Sequence, residues 1–331
     1  MTSPRAVLFG AGESPPALPV CDHYAGVQPR MSKSLQLQAE MGPVFDVTLD
    51  NEDGAPVGGE VDQAHLIASL LAGPDNRYGR VGVRLLPVEH PRFADVAAIV
   101  LAAAQAPAYL MLPKPGRLAD VQRAAQAIDA LGGGAVPLHA LVETHGALRD
   151  VFAIAAHPRI ESLSFGLMDF VSAHRGAIPQ AAMSAKGQFE HPLVQRAKLE
   201  IAAACHACAK TPSHCVVTEL KNAKAVQTAA EAACRTLGYT RMWSIHPAQI
   251  QPILDAFSPT VAELDQAIEI IAAAQAASWA PIRHRDSLHD RASYRYYWQV
   301  IERAHRVSPG AGLPAELRLA WFGPQAAVPS S

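Results

Sequence analysis

Leu138 to Asp169 reads LHALVETHGALRDVFAIAAHPRIESLSFGLMD. The stretch has the pattern of a strand, a helix and a second strand, with Glu143 at the exit of the first strand and Asp169 just past the end of the second. Neighbouring parallel strands point the same way, so the two acids converge above the carboxyl edge of the sheet, where α/β proteins place their ligands. Two carboxylates held there suit a hard cation.

At 331 residues, 50% hydrophobic and 18% charged, the chain can bury one large core. An α/β barrel commonly fills about 250 residues as a single domain. The net charge of −2 and pI near 6.7 give no electrostatic footprint for nucleic acid or an acidic membrane surface. The start, MTSPRAVLFGAGESPP, lacks the basic segment and long apolar core of a secretion signal. The longest apolar stretch, Val96 to Leu112, is interrupted by Gln105 and Pro107. It is shorter than the roughly 20 residues of a membrane-spanning helix. Five cysteines without a signal segment point to reduced thiols and a cytoplasmic location. Cys205 and Cys208, with His206, His214 and Cys215 nearby, invite a zinc reading. AKLEIAAACHACAK is, however, a small-residue helix in which positions three apart share a face, so buried structural cysteines are the expectation.

Taken in order, the first strand is read at Arg5 to Gly10 (RAVLFG) and the second at Phe45 to Leu49. Later strands are read at Gly79 to Leu86, Ala108 to Leu112, the two in the opening stretch, His214 to Val217, and Arg241 to Ile245. Helical patterns separate them, among them Met31 to Met41, Val61 to Leu71, Thr144 to Ala156 and Leu193 to Lys210. Between Asp169 and the last of these lies a long irregular segment, Phe170 to His191, with the character of a substrate lid. Eight strands alternating with helices predict a (β/α)8 TIM barrel over residues 1–278, with a C-terminal helical extension at 279–331. An open doubly wound sheet is the alternative, but GAGES has no G-x-G-x-x-G continuation after it.

In a barrel, the strand ends deliver Asp50, Glu52, Asp53, Arg84, Lys114, Glu143 and Asp169 to one face. Glu143 and Asp169 suit Mg²⁺, and Arg84 offers a fork for a carboxylate or an enolate oxygen. The acidic turn is either a solvated turn or, with Lys114, the rim of a substrate pocket. Any one of these charges could instead close the barrel top in a salt bridge. His246 at the last strand's exit fits a capping role as well as a chemical one, and His139 and His145 flank Glu143 as possible orienting groups.

LPK (Leu112 to Lys114), LVETHGAL (Leu141 to Leu148), SFGLMD (Ser164 to Asp169), SIHPAQI (Ser244 to Ile250) and FSPT (Phe257 to Thr260) together resemble the citrate lyase beta-subunit and malyl-CoA lyase group of the HpcH/HpaI aldolase family. RAVLFGAG is similar to the group's opening strand, LDNEDG to its D-L-E-D turn, and VRLL to its V-R-x-N strand. The resemblance implies a homotrimeric or homohexameric barrel that uses Mg²⁺ to make or break a carbon–carbon bond. It further implies Glu143 and Asp169 as metal ligands, Arg84 as a substrate-binding and catalytic arginine, and a keto acid and an acyl thioester as substrates. Relatives donate an acid/base aspartate from a neighbouring subunit's C-terminal segment, for which Asp290 is the nearest match. Leu86, Asn51 and Pro115-Gly116 depart from the family pattern, and the G-K-M-x-D lead-in to the C-terminal aspartate is missing. The departures spare the metal pair and leave the carrier, CoA or acyl-carrier protein, open. A pyruvate aldolase without a thioester and a non-catalytic barrel subunit are the other readings.

Overall fold

A computed structural model describes residues 3–10, 18–54, 56–307 and 312–323. Eight parallel strands close into a barrel: β1 (Cys21–Ala25), β2 (Phe45–Asp50), β3 (Val81–Arg84), β4 (Leu110–Leu112), β5 (Leu138–Val142), β6 (Ile160–Phe165), β7 (Thr211–His214) and β8 (Arg241–Ser244). Each pairs with its sequence neighbour, and β8 returns to β1 through Cys21 and Met242. Asp50 on β2 and Arg84 on β3 are register partners, so an acid and a base meet side by side at the strand ends. Among the described residues, no helix is long and apolar enough to cross a membrane.

The first strand is not where the sequence pattern put it. Arg5 to Gly10 falls largely in the helix Pro4–Phe9, which has a proline in its first turn. The strand that closes the barrel is CDHYA, whose polar alternation hides it from a search for apolar periodicity. That alternation exists because the barrel interior is itself ionic. Arg241, fully buried, lies 3.1 Å from Asp22 and 2.5 Å from Asp46 and donates to the Pro19 carbonyl at 2.9 Å. The Thr48 and Tyr109 hydroxyls both reach Asp22 Oδ1, at 2.6 and 3.0 Å. Tyr109 spans the interior only because residue 82 is glycine, since a Cβ there would fall 2.1 Å from its ring. His139 stacks on Tyr109 at 3.9 Å and pairs with Glu161 at 3.0 Å.

The seventh strand is also displaced, to Thr211–His214 instead of His214 to Val217. Pairing of Ser164 with Ser213, and of Ser213 with Arg241, selects TPSH over the more β-prone HCVV. The helix read at Thr144 to Ala156 is two, His145–Arg149 and Val151–Ala155, divided at Asp150. The segment read as a lid, Phe170 to His191, holds the end of the short helix Leu167–Ser172 and two 3-10 turns at Gln180–Met183 and Gly187–Phe189.

The chain divides into two compact units between Phe257 and Ser258. The barrel unit is Leu18–Phe257. The other contains the helices Pro4–Phe9, Val261–Ala276, Arg291–Val307 and Ala315–Phe322 and the hairpin Ile282–His284 with Ser287–His289. Its core joins Leu8, Ile270, Ile271, Tyr294, Trp298 and Trp321. Arg5 pairs with Glu302, which also accepts from the Trp298 indole at 2.7 Å.

Replacing Arg241 leaves Asp22 and Asp46 buried without their cation. Arg241→Met is expected to destabilise the fold by about 3–5 kcal/mol in chemical denaturation. An unchanged midpoint would show that the interior network contributes nothing to stability.

Candidate active site

At the carboxyl ends of β2 and β3, the Arg84 guanidinium is held on three sides. Its Nε and NH2 donate to Asp50 at 2.6 and 2.9 Å, NH1 lies 3.0 Å from Glu52, and NH2 lies 3.2 Å from Asp53. This is the fork geometry that a guanidinium supplies and an ammonium cannot. Burial alone would push the Asp50 carboxyl up, but its hydrogen bonds from Arg84 and Tyr24 bring it below the ordinary carboxylate value. Tyr24, on β1, donates to Asp50 and accepts from Arg84 at 2.9 Å.

Lys114 follows β4 directly and sits in the left-handed backbone region, with φ of 50°, which non-glycine residues seldom adopt. The turn lets one residue serve two partners. Its backbone N–H donates to Glu143 Oε1 at 2.8 Å, while its ammonium lies 2.7 Å from Glu52, 3.3 Å from Asp53 and 4.0 Å from Asp169. Burial would lower this ammonium's pKa, yet the surrounding Glu52, Asp53 and Asp169 hold it above the ordinary lysine value.

Glu143 stands just past the end of β5 and is 2% exposed. Its second oxygen rests against Gly166, where a Cβ would come within 2.2 Å. The glycine after β6 is therefore the cradle of this carboxylate. Burial, then the charge of Asp169, pushes the Glu143 carboxyl well above the ordinary range. Asp169 lies in the first turn of the helix Leu167–Ser172 and remains 45% exposed.

Asp50, Glu52, Asp53, Arg84, Lys114, Glu143 and Asp169 are thus brought to one face of the barrel. Five carboxylates there meet two cations, an excess of three negative charges when all are ionised. Glu52, like Glu143, is driven by burial towards its protonated form. A divalent cation would relieve both. Among the described residues no three Asp, Glu, His or Cys side chains form a complete metal cage. The donor set is two carboxylates, one of them 45% exposed, which fits Mg²⁺, an ion that keeps several waters or substrate oxygens.

The remaining sequence candidates have other partners. Asp290 belongs to the second unit and caps the helix Arg291–Val307, its Oδ1 accepting from Ala292 N–H at 2.9 Å. His246 caps the turn that follows it, accepting from Ala248 N–H at 3.2 Å. Neither histidine flanking Glu143 takes the orienting part: His139 faces Glu161 in the interior, and the His145 Nε2 lies 3.3 Å from the Ala173 carbonyl. The Lys114 backbone orients Glu143 instead. Cys205 is buried within the helix Pro192–Ala207, as its small-residue pattern suggests, but Cys208 at the end of that helix is only half-buried. Tyr24 and Gly166 were not legible as site residues, the first because its strand was misplaced and the second because glycine carries no chemistry of its own.

The sequence matches the family model described as HpcH/HpaI aldolase/citrate lyase over residues 34–247. A (3S)-malyl-CoA thioesterase of Cereibacter sphaeroides is 28% identical over 74% of this chain and 81% of its own. An L-malyl-CoA/beta-methylmalyl-CoA lyase of the same species is 25% identical over 91% of this chain and 99% of its own. A crystal structure of a citrate lyase from Burkholderia xenovorans superposes with a TM-score of 0.83 at 52% identity, covering 97% of this chain and 100% of that one. The CitE protein of Mycobacterium tuberculosis, crystallised with magnesium, acetoacetate and coenzyme A, shares the fold with a TM-score of 0.68 at 20% identity, over 87% of this chain and 98% of that one.

Because the Glu143 pKa is raised in the folded state, its contribution to stability is fully present below the ordinary carboxylate pKa and is lost as pH rises through the raised one. Glu143→Gln is therefore expected to stabilise the metal-free protein by about 1–2 kcal/mol near neutral pH. The gain should vanish in acid. Thermal unfolding at several pH values checks both the sign and the window. With well over half of its length under one family model and its motifs on the strand ends of a closed barrel, the chain belongs to the HpcH/HpaI aldolase/citrate lyase family.

Proposed function

We propose that this chain is a Mg²⁺-dependent carbon–carbon lyase that cleaves or forms a malyl-, citramalyl- or citryl-type thioester. The observation that carries the reading is the excess of carboxylates gathered around Glu143 and Asp169 at the strand ends. Glu143 and Asp169 would hold the ion, with the Lys114 backbone N–H and Gly166 fixing the orientation of the first. When bound, Mg²⁺ supplies Lewis-acid stabilisation of the oxygens of a keto acid. Arg84 supplies a fixed positive charge for the enolate oxygen of the second fragment, and its acidic partners prevent it from turning away. Lys114, with Glu52 and Asp53, forms the cationic and acidic rim over which substrate enters. Asp290 is proposed as the proton carrier, delivered to the site by the C-terminal segment of a second subunit in a homotrimer or homohexamer. The barrel is the catalytic domain, and the C-terminal extension makes the contact between subunits.

Similarity to a malyl-CoA thioesterase favours a second reading, in which the thioester is hydrolysed. The two differ in product. Purified protein given Mg²⁺ and malyl-, citramalyl- or citryl-CoA is expected to release a keto acid and a shortened acyl-CoA without free thiol. Free thiol as the primary product would replace the lyase reading with hydrolysis. Condensation of pyruvate with an aldehyde in the absence of any ester, or metal binding without turnover, would overturn both. In the lyase assay, Glu143→Gln and Asp169→Asn should each lower kcat/KM by about a thousandfold. Chelation should abolish activity and Mg²⁺ restore it.

A further inference from the structure

We infer that Tyr24 is a positioning residue, one that holds the Arg84 guanidinium in the plane from which it stabilises the reacting oxygen. The inference rests on the lyase reading above. Tyr24 lies near the end of β1, two residues beyond Asp22 of the interior ion network, and is half-buried. Its hydroxyl donates to Asp50 and accepts from Arg84 NH2 at 2.9 Å. The guanidinium carbon lies 5.1 Å from the centre of its ring, and the ring stacks on Trp243 at 5.8 Å with planes 16° apart. Tyr24 is thus tied to both partners of the Asp50–Arg84 pair and braced by an aromatic neighbour from β8.

The chemistry of the contact matters. Asp50, Glu52 and Asp53 already surround Arg84 with negative charge, and a further carboxylate would offset the positive field that a developing oxyanion needs. A phenol fixes the same guanidinium and remains neutral. Burial, with Asp50 beside it, pushes the Tyr24 hydroxyl above the ordinary phenol range, so it keeps its proton. Arginine has five N–H donors. Asp50, Asp53 and Tyr24 take the hydrogen bonds of Nε and NH2, while Glu52 lies 3.0 Å from NH1 as an ion pair outside hydrogen-bond geometry. The direction of the NH1 N–H groups depends on the plane that Tyr24 and Asp50 define.

Tyr24→Phe removes the hydroxyl and keeps the ring, and a double-mutant cycle with Arg84→Lys separates positioning from packing. In the wild-type background, kcat should fall about tenfold, the scale of one lost hydrogen bond to a charged group, while KM changes by less than about twofold. In the Arg84→Lys background the same substitution should have almost no further effect, because the fork it positions is gone. An equal loss in both backgrounds would overturn the inference and make Tyr24 a packing residue. A crystal structure of Tyr24→Phe reads the same claim without turnover: a guanidinium rotated off Asp50 supports it, and one left in place overturns it. A wild-type protein without lyase activity would refute the proposed reaction, and the crystal structure would still decide the role of Tyr24.

Discussion

The paired charges of Asp50 and Arg84 are the constraint on which the mouth of this barrel depends. They are register partners on adjacent strands, both almost fully buried, and a buried ion pair is stable only when its hydrogen-bonding capacity is filled. Asp50 meets that condition by accepting from Arg84, from Tyr24 and from the backbone N–H of Glu52 at 3.0 Å. The last of these bonds folds the strand exit back on itself, which brings Glu52 and Asp53 around the same guanidinium. The acidic turn is therefore a consequence of the pair. Lys114 then extends the network across to β4, β5 and the helix after β6.

A second ionic layer lies deeper in the barrel. Arg241 between Asp22 and Asp46 uses the same device one step towards the amino ends of the strands, and Thr48 and Tyr109 hydrogen-bond to Asp22 beside it. Most barrels fill this space with branched apolar side chains. Here Asp22, Asp46 and Arg241 take part of it, beside Tyr109, and their mutual geometry sets which residues can face inward. β1 must supply Asp22 towards Arg241 and Tyr24 towards Arg84, so its inward face is polar by necessity.

The same fact explains what the sequence revealed and what it hid. Strands with apolar stretches and clean exits, such as those around Leu112, Val142 and Phe165, were readable, and so were the charged residues that follow them. LHALV and IESLSF led directly to Glu143 and Asp169 because a strand that ends in an acid is a pattern in one dimension. CDHYA was not readable as a strand, since its inward residues Asp22 and Tyr24 answer to Arg241 and Arg84, 219 and 60 residues away along the chain. RAVLFG had the better local β pattern and became a helix, because Pro4 and the core around Leu8 decide its state. TPSH, with its proline, is a strand only because β6 and β8 pair with it. The barrel's closure is a global condition, and it overrides local preference at the two strands that flank the seam with β8.

The state of Glu143 follows from this architecture. A carboxylate placed by Gly166 and Lys114 in a nearly water-free position, beside Asp169, is held where its own charge is costly. The fold could lessen that cost by moving a cation closer, and Lys114 is near enough to do so. Its ammonium is instead directed to Glu52, Asp53 and Asp169, while only its backbone N–H is given to Glu143. The left-handed conformation at Lys114 is what separates the two roles, at a conformational cost of about 1 kcal/mol. Both the strained residue and the uncompensated acid thus work against stability in the metal-free chain. Under the proposed reading a cation shared between Glu143 and Asp169 would offset that cost, so the energetic deficit and the proposed chemistry would belong to the same few atoms.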